Sequence, residues 1–235
     1  MLNLANVSDA LESLLQNPRV WRGIRPAFRH EGHPATHPTG YARLDRHLPG
    51  GGWPRHALTE ILLEHYGTGE LELLMPALAR LCNADNSGLQ DSDDRKAREA
   101  RETGWIAWIA PPFQPYPPAL LQWGINLQQV LIVHPGKSLE ALWAAEQALS
   151  CGNCAAVLLW SDVLDLKTSR RLQLAAEKGR SWAIAFRPLK ALTQSSAAAL
   201  RIELSAGEQG TDVRILKSRG GRPVNVSGVL RNDPD

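Results

Sequence analysis

The feature that most constrains the fold is a buried strand, a glycine-containing loop and a helix that follow one another within residues 38–81. Ala57–Leu63 is a nearly continuous apolar run, which is typical of a strand covered on both faces. Gly67 and Gly69 interrupt the chain after it, and apolar residues at helical spacing then predict a helix over Glu70–Leu81. This order of elements predicts the first strand–helix unit of an α/β sheet.

Phosphate-binding loops have the same order of elements, and their backbone N–H groups hold the phosphates. Such loops end in Gly-Lys-Ser or Gly-Lys-Thr, whereas this one ends in Gly69, Glu70 and Leu71. Glu70 stands where the lysine would contact phosphate, and Leu71 stands where a hydroxyl would hold magnesium. Because a carboxylate repels a nucleotide triphosphate, we expect no bound nucleotide or other cofactor. The alternative for Glu70 is a solvent-exposed residue in the first helical turn, favoured by the helix dipole.

Composition and charge narrow the class of protein. The 235-residue chain is 43% apolar, which excludes wholesale disorder, and its formal charge of +2 gives no global argument for nucleic-acid binding. We therefore expect DNA binding to be weak or indirect. The sequence has no membrane-spanning run and no signal peptide, so a cytoplasmic protein is expected. Its three cysteines predict reduced thiols, with Cys151 and Cys154 in a helix–strand turn, and no metal site is predicted.

The N-terminal part of the chain is predicted to be separate from the core. Residues 1–23 have the spacing of an amphipathic helix, with Leu11 and Leu14 on its apolar side, and residues 24–38 have the composition of a linker. The helix can dock on its own domain or on a partner protein. Trp21, beside Arg22, is a candidate interface anchor.

Residues 39–230 are predicted to form the core, with a charged loop insertion at 83–103 and a short tail at 231–235. A short helix over Gly40–Leu48 opens it. Later strands are predicted at Trp105–Ala110, Val130–Val133, Ala155–Trp160, Trp182–Phe186, Leu200–Ser205 and Thr211–Ser218, and later helices at Ala119–Trp123, Ser138–Leu149 and Lys167–Lys178. The alternation predicts an α/β fold with a mostly parallel twisted sheet, helices on both faces and antiparallel C-terminal edge strands. Trp105, Trp108, Trp160 and Trp182 are expected in the core, whereas Trp53 is expected on a loop.

Short motifs between residues 38 and 226 resemble the RecA core. They are Thr39-Gly40, Leu44-Asp45, Gly51-Gly52, Glu60-Ile61, Leu131–Pro135 and Val213–Pro223. The resemblance implies a RecA-like fold in which the catalytic glutamate position falls at Pro111 or Pro112. The metal-side aspartate position falls at Trp160 or Ser161. With Glu70 in the phosphate loop, these departures imply a protein that is not an enzyme, and a weak ATPase with unusual ligands is kept as an alternative.

The same pattern resembles the ImuA family, RecA-like accessory proteins of bacterial damage-induced mutagenesis. Members of that family are also labelled SulA-like, because the segment Leu131–Phe186 resembles the cell-division inhibitor SulA. The resemblance implies an SOS-induced adaptor of translesion DNA synthesis whose partners are ImuB, an error-prone DnaE-type polymerase and RecA. The alternative is a SulA-like inhibitor that binds FtsZ. Lys217 and Arg219 match a RecA turn that reaches a neighbouring subunit, and with Arg214 and Arg222 they form a basic run suited to a phosphate or an acidic partner.

Overall fold

The structure, a computed structural model, describes residues 36–83 and 104–230. The predicted N-terminal helix, most of the predicted linker, the charged insertion and the tail lie outside the described residues. The domain boundaries therefore stay a prediction.

The strands and helices are named here in chain order. The strands are β1 (Thr36–His37), β2 (Trp53–Pro54), β3 (Leu58–Leu63), β4 (Trp105–Ile109), β5 (Val130–Val133), β6 (Cys154–Trp160), β7 (Trp182–Pro188), β8 (Leu200–Gly207), β9 (Gly210–Ser218) and β10 (Val224–Leu230). The helices are α1 (Ala42–Asp45), α2 (Met75–Asn83), α3 (Pro117–Gln122), α4 (Ser138–Ser150) and α5 (Leu166–Gly179). Short 3₁₀ turns cover Leu127–Gln129 and Leu189–Thr193.

The main sheet has the strand order β10-β9-β8-β3-β7-β6-β4-β5. Strands β8, β3, β7, β6, β4 and β5 run parallel, whereas β9 and β10 are antiparallel additions at one edge. Every residue of β3 and of β6 is buried, which explains their continuous apolar runs. The predicted mostly parallel α/β sheet with antiparallel edge strands is confirmed, and β1 and β2 form a separate small pair that the sequence did not predict.

Helices cover both faces of the sheet, and each face has its own apolar core. One face packs α2 against strand residues such as Trp108 and Phe186. The other face packs α4 and α5 against residues such as Val157 and Ala185. Burying a large apolar side chain contributes about 1.5–3 kcal/mol, so these two layers provide most of the stabilisation of the sheet.

Two predicted helices are shorter than expected. The helix predicted over Glu70–Leu81 begins at Met75 and ends at Asn83, because residues 70–74 form turns. The N–H of Leu73 there donates to Gly69 O, and the N–H of Leu74 donates to Leu71 O. The helix predicted over Gly40–Leu48 is only α1.

Several side chains lie where the sequence did not place them. Trp105 is 46% exposed because it is the first residue of β4, and Trp53 is fully buried in β2 and not on a loop. Two large apolar side chains of α4, Leu139 and Trp143, are 77% and 63% exposed. The helix instead buries a stripe that includes Ala141 and Ala145, which lies about half a turn away from the exposed pair.

The N-cap position of α4 is Lys137, which makes no side-chain cap hydrogen bond. Strand β10 was not predicted from the sequence, since Gly228 interrupts its apolar pattern. The predicted helix–strand turn at Cys151 and Cys154 is confirmed, and burial raises the pKa of the Cys154 thiol to about 12.

Candidate functional site

The loop that follows β3 is the region whose sequence was compared above with a phosphate-binding loop. Gly67 and Gly69 have φ angles of 88° and 94°, in the left-handed region that favours glycine. A Cβ on Gly69 would also lie 2.6 Å from Leu230 Cδ1. The positive φ therefore favours glycine at position 69, where an added Cβ would also force the Leu230 side chain to move.

The buried side chain of Glu70 is hydrogen-bonded to the backbone of this loop. The residue is only 5% exposed, and its two carboxylate oxygens accept the backbone N–H of Gly67 at 2.8 and 3.0 Å. The prediction that Glu70 is a solvent-exposed helix residue is therefore wrong. In phosphate-binding loops, backbone N–H groups of this kind donate to the phosphate. Here the Gly67 N–H already donates to a carboxylate of the protein itself.

The C-terminal strands hold the loop from the outside. Thr211 Oγ1, on β9, donates to Thr68 O at 2.9 Å, and Leu71 packs against the apolar core. An open polar cleft of about 610 Å³ lies between the loop and the β8–β9 hairpin. Its lining includes the carboxylates of Glu72 and Glu208, and none of its lining residues in the described part of the chain is a lysine or arginine. The described lining of the cleft therefore offers a phosphate carboxylates and no cationic side chain.

The carboxyl ends of β4 and β6, where the resemblance places catalytic carboxylates, contain apolar side chains. Pro111 and Pro112 follow β4. At the end of β6, Trp160 stacks on Phe186 with ring centroids 4.6 Å apart and lies 5.6 Å from Trp108. This aromatic stack fills the interior beside the strand ends and leaves Asp162 exposed on the following loop.

A buried charge cluster, which sequence reasoning missed, lies at the centre of the sheet. Glu60 of β3 is fully buried and accepts Arg187 Nη1 at 3.3 Å and Arg201 Nε at 2.9 Å. Arg187 Nη2 also donates to Leu164 O and to Gln194 Oε1, each at 2.6 Å. Arg187 is part of β7 and is fully buried. It is not available for DNA.

The predicted basic run does not form one cluster. Lys217 Nζ donates to Ser196 O at 2.9 Å, and burial together with the nearby Arg201 charge lowers the pKa of Lys217. Arg214 pairs with Glu203 at 2.9 Å. Lys217 is near the end of β9 and pairs with the start of β8, so it lies at the edge formed by the amino ends of the parallel strands. The Gly67–Glu70 loop lies at the opposite edge, where β3 ends.

Arg219 and Arg222 are exposed in the turn between β9 and β10. Arg219 lines a cleft of about 220 Å³ with Arg55, Glu177 and Gln173, at the amino ends of β3 and β8. The remaining predicted partner-binding residues, Leu11, Leu14, Trp21 and Arg22, lie outside the described residues.

Within residues 36–83 and 104–230, no group of three His, Cys, Asp or Glu side chains is placed to hold a metal ion. In the same residues, no helix is both long enough and apolar enough to span a bilayer.

The fold and its site define a mixed α/β protein with a glycine loop closed by its own carboxylate. A family model described as "Cell division inhibitor SulA" matches residues 97–183. The cell division inhibitor SulA of Photorhabdus laumondii subsp. laumondii is 33% identical over 85 residues, which are 36% of this chain and 48% of that protein. The chain thus spans about half the length of this curated relative. The crystal structure of SulA from Pseudomonas aeruginosa is 24% identical, covers 55% of this chain and 97% of its own, and has a TM-score of 0.40. The family model and the curated relative show that the central segment of this chain is SulA-like.

Proposed function

We propose that this chain is a SulA-like, non-catalytic protein that acts in the cytoplasm by binding another protein in the response to DNA damage. The observation that carries the non-catalytic part is Glu70, whose carboxylate holds the Gly67 N–H. The proline residues after β4 and the Trp160–Phe186 stack support it, since neither can activate water or hold a metal. The chain then needs no nucleotide or other cofactor.

The first candidate function is inhibition of cell division through FtsZ. It is supported by the match of residues 97–183 to the SulA family model and by the similarity to a named cell division inhibitor. The matched segment contains most of the large apolar side chains that the described part of the chain exposes, among them Phe113 and Tyr116. Exposed apolar side chains in number are typical of a protein-binding surface.

The second candidate function is the translesion-synthesis adaptor that links ImuB and an error-prone DnaE-type polymerase to RecA. It is favoured by the part of the sheet outside the SulA-like segment. Strand β3 with its glycine loop and strands β8–β10 are continuous with β7 and β6, and β3 occupies a central position. A function that needs residues 97–183 alone leaves this half of the sheet without a role.

One pull-down experiment separates the two candidates. The purified full chain is immobilised and offered FtsZ, ImuB and RecA separately at equal concentration, and FtsZ polymer is sedimented with and without the chain. Retention of FtsZ with loss of polymer supports the division inhibitor. Retention of ImuB and RecA without FtsZ supports the adaptor, and retention of none of the three contradicts the proposed function.

A further inference from the structure

Exposed aromatic side chains come together at the carboxyl edge of the sheet. Tyr66, Phe113 and Tyr116 are 41%, 72% and 69% exposed there. Tyr66 follows β3 and Phe113 follows β4, yet their rings meet edge to face with centroids 6.5 Å apart. Since β7 and β6 lie between β3 and β4, the two loops must bend toward each other over the ends of these strands.

The loop that carries Phe113 and Tyr116 is stiff. Ala110, at its start, has a φ of 55°, which is unusual for a residue with a side chain, and its N–H donates to Val133 O at 2.9 Å. Prolines at positions 111, 112, 115, 117 and 118 then fix the backbone on both sides of the two aromatic residues. Strained backbone is often retained at functional sites, and a stiff loop loses little entropy when a partner binds.

The loop after β6 extends the apolar surface. Strand β6 lies between β7 and β4, so this loop leaves the sheet between the positions of Tyr66 and Phe113. In this loop, Val163 is 49% exposed and Leu166 is 52% exposed. The three loops that carry these exposed apolar residues therefore all leave the carboxyl edge of the sheet within the stretch from β3 to β4.

The same three loops are acidic. Residues 64–70, 110–118 and 161–166 contain Glu64, Glu70, Asp162 and Asp165 but no lysine or arginine. Burial, followed by the charges of Asp162 and Glu70, raises the pKa of the Tyr66 hydroxyl, so these carboxylates lie close to the aromatic pair. A negative rim around apolar rings repels the phosphates of a nucleic acid and attracts lysine or arginine.

We propose that the acidic aromatic surface, formed by Tyr66, Phe113, Tyr116, Asp162 and Glu64, binds a basic apolar peptide segment of a partner protein. The aromatic rings take the apolar side chains of the peptide, and the rim carboxylates pair with its lysine or arginine residues. This inference deepens the proposed function, on whose protein-binding role it rests. It adds the place of contact and the chemistry of the partner.

The test uses the full chain and a fluorescein-labelled dodecapeptide in which tryptophan or leucine alternates with arginine, followed by fluorescence anisotropy. Phe113→Ser with Tyr116→Ser is expected to raise the Kd at least about tenfold, since such aromatic anchors carry most of the binding energy. Asp162→Asn with Glu64→Gln is expected to raise the Kd severalfold at low salt and to weaken its salt dependence. Leu139→Ser with Trp143→Ser, equally exposed on α4, and Glu208→Gln are the matched controls and should bind as the wild type does.

Two further probes complete the test, a peptide with glutamate in place of arginine and a twenty-residue oligothymidylate. Neither should bind. Tight binding of the oligothymidylate that is lost in the Phe113/Tyr116 variant would assign the surface to nucleic acid and overturn the inference. Equal affinity of the wild type and both loop variants for the basic peptide overturns it as well.

The same variants in the pull-down distinguish this inference from the proposed function. If FtsZ, ImuB or RecA is retained equally by the wild type and the Phe113/Tyr116 variant, the inference fails and the proposed function stands. If the basic peptide binds at this surface while none of the three proteins is retained, the surface stands and the proposed function fails. All the substituted side chains are exposed or partly exposed, so equal melting temperatures are expected and show that folding is unchanged.

Discussion

Glu70 accepts the backbone N–H of Gly67 through both of its carboxylate oxygens, at 2.8 and 3.0 Å. The two residues are three positions apart, so the loop after β3 closes on itself. A nucleotide phosphate would have to displace a buried carboxylate and then remain beside it. Both steps are unfavourable, because the carboxylate would lose a charge-assisted hydrogen bond and repel the phosphate.

Mg-ATP is therefore expected not to bind. Calorimetry with the full chain should give no heat of binding, and hydrolysis should stay at the level of the blank. The double variant Glu70→Lys with Leu71→Thr is a useful companion, and it should also fail to bind because Glu72 and Glu208 still line the neighbouring cleft. Micromolar affinity or turnover by the wild type would revive the weak-ATPase alternative.

Glu60→Gln is expected to destabilise the protein by about 3–5 kcal/mol, because it leaves the buried charges of Arg187 and Arg201 without their carboxylate. Urea unfolding measures the change. The matched control is Glu203→Gln, which breaks the partly exposed pair with Arg214 and should cost no more than about 1 kcal/mol. Equal effects of the two substitutions would mean that Glu60 is compensated in some other way.

Deletion of residues 1–35 is expected to leave the core folded and to weaken one partner contact, because the predicted N-terminal helix can supply apolar anchors. The cut is placed before Thr36–His37, which forms β1, since the His37 ring lies 5.8 Å from the buried Trp182 ring. Thermal melts and pull-downs compare the shortened and full chains. A large drop in melting temperature would show that the N-terminal segment belongs to the core.

Lys217→Ala with Arg219→Ala is expected to weaken RecA binding and to leave ImuB binding intact, if the adaptor candidate is correct. Each charge that meets a phosphate or carboxylate in a desolvated contact contributes about 1–3 kcal/mol, and less as salt rises if the contact is exposed. Interferometry at low salt measures both partners. Arg214→Ala is the control, since Arg214 already pairs with Glu203. Unchanged RecA affinity in the double variant argues against this surface.

The stability of the protein is expected to fall at mildly acid pH because of His37. Burial, followed by the nearby Arg55 charge, lowers the pKa of His37 from 6.5 to about 3. Below pH 6.5 the unfolded chain takes up a proton that the folded chain does not, so the free energy of unfolding decreases until pH falls to about 3. Between pH 7.5 and 5 this contribution amounts to about 2 kcal/mol.

The variant His37→Asn checks this effect. Its urea-unfolding free energy should decrease less than that of the wild type between pH 7.5 and 5, by about the same 2 kcal/mol. His47→Gln, which replaces an exposed histidine, should follow the wild type. A wild-type decrease no larger than that of His37→Asn would show that His37 takes up its proton equally well when the protein is folded.

The strands could be predicted from the sequence because burial on both faces produces continuous apolar runs. Such runs can be recognised without knowing which elements pack against them. Val130–Val133 was predicted at its observed bounds, and β3 and β6 to within one residue. Helix faces were harder. In α4 the small residues Ala141 and Ala145 face the sheet, and the larger Leu139 and Trp143 face outward, so a pattern based on size indicates the wrong side.

The candidate site was predictable only in part. The replacement of a lysine by Glu70 can be read directly, but its bond to Gly67 depends on loop conformation that the sequence does not specify. The pairing of Glu60 with Arg187 joins residues 127 positions apart, and β-strand alternation alone does not reveal it. The meeting of Tyr66 with Phe113 depends on how two loops bend over the intervening strands, so it required the fold.

The clasp on the glycine loop, formed by Thr211 and Leu230 together with the internal Glu70, also limits what a single substitution can achieve there. A lysine at position 70 would not by itself create a phosphate site, because it cannot accept the Gly67 N–H and Leu230 still lies against Gly69. Such a substitution would first loosen the loop. The loop after β3 is therefore expected to tolerate far fewer substitutions than the exposed surfaces around it.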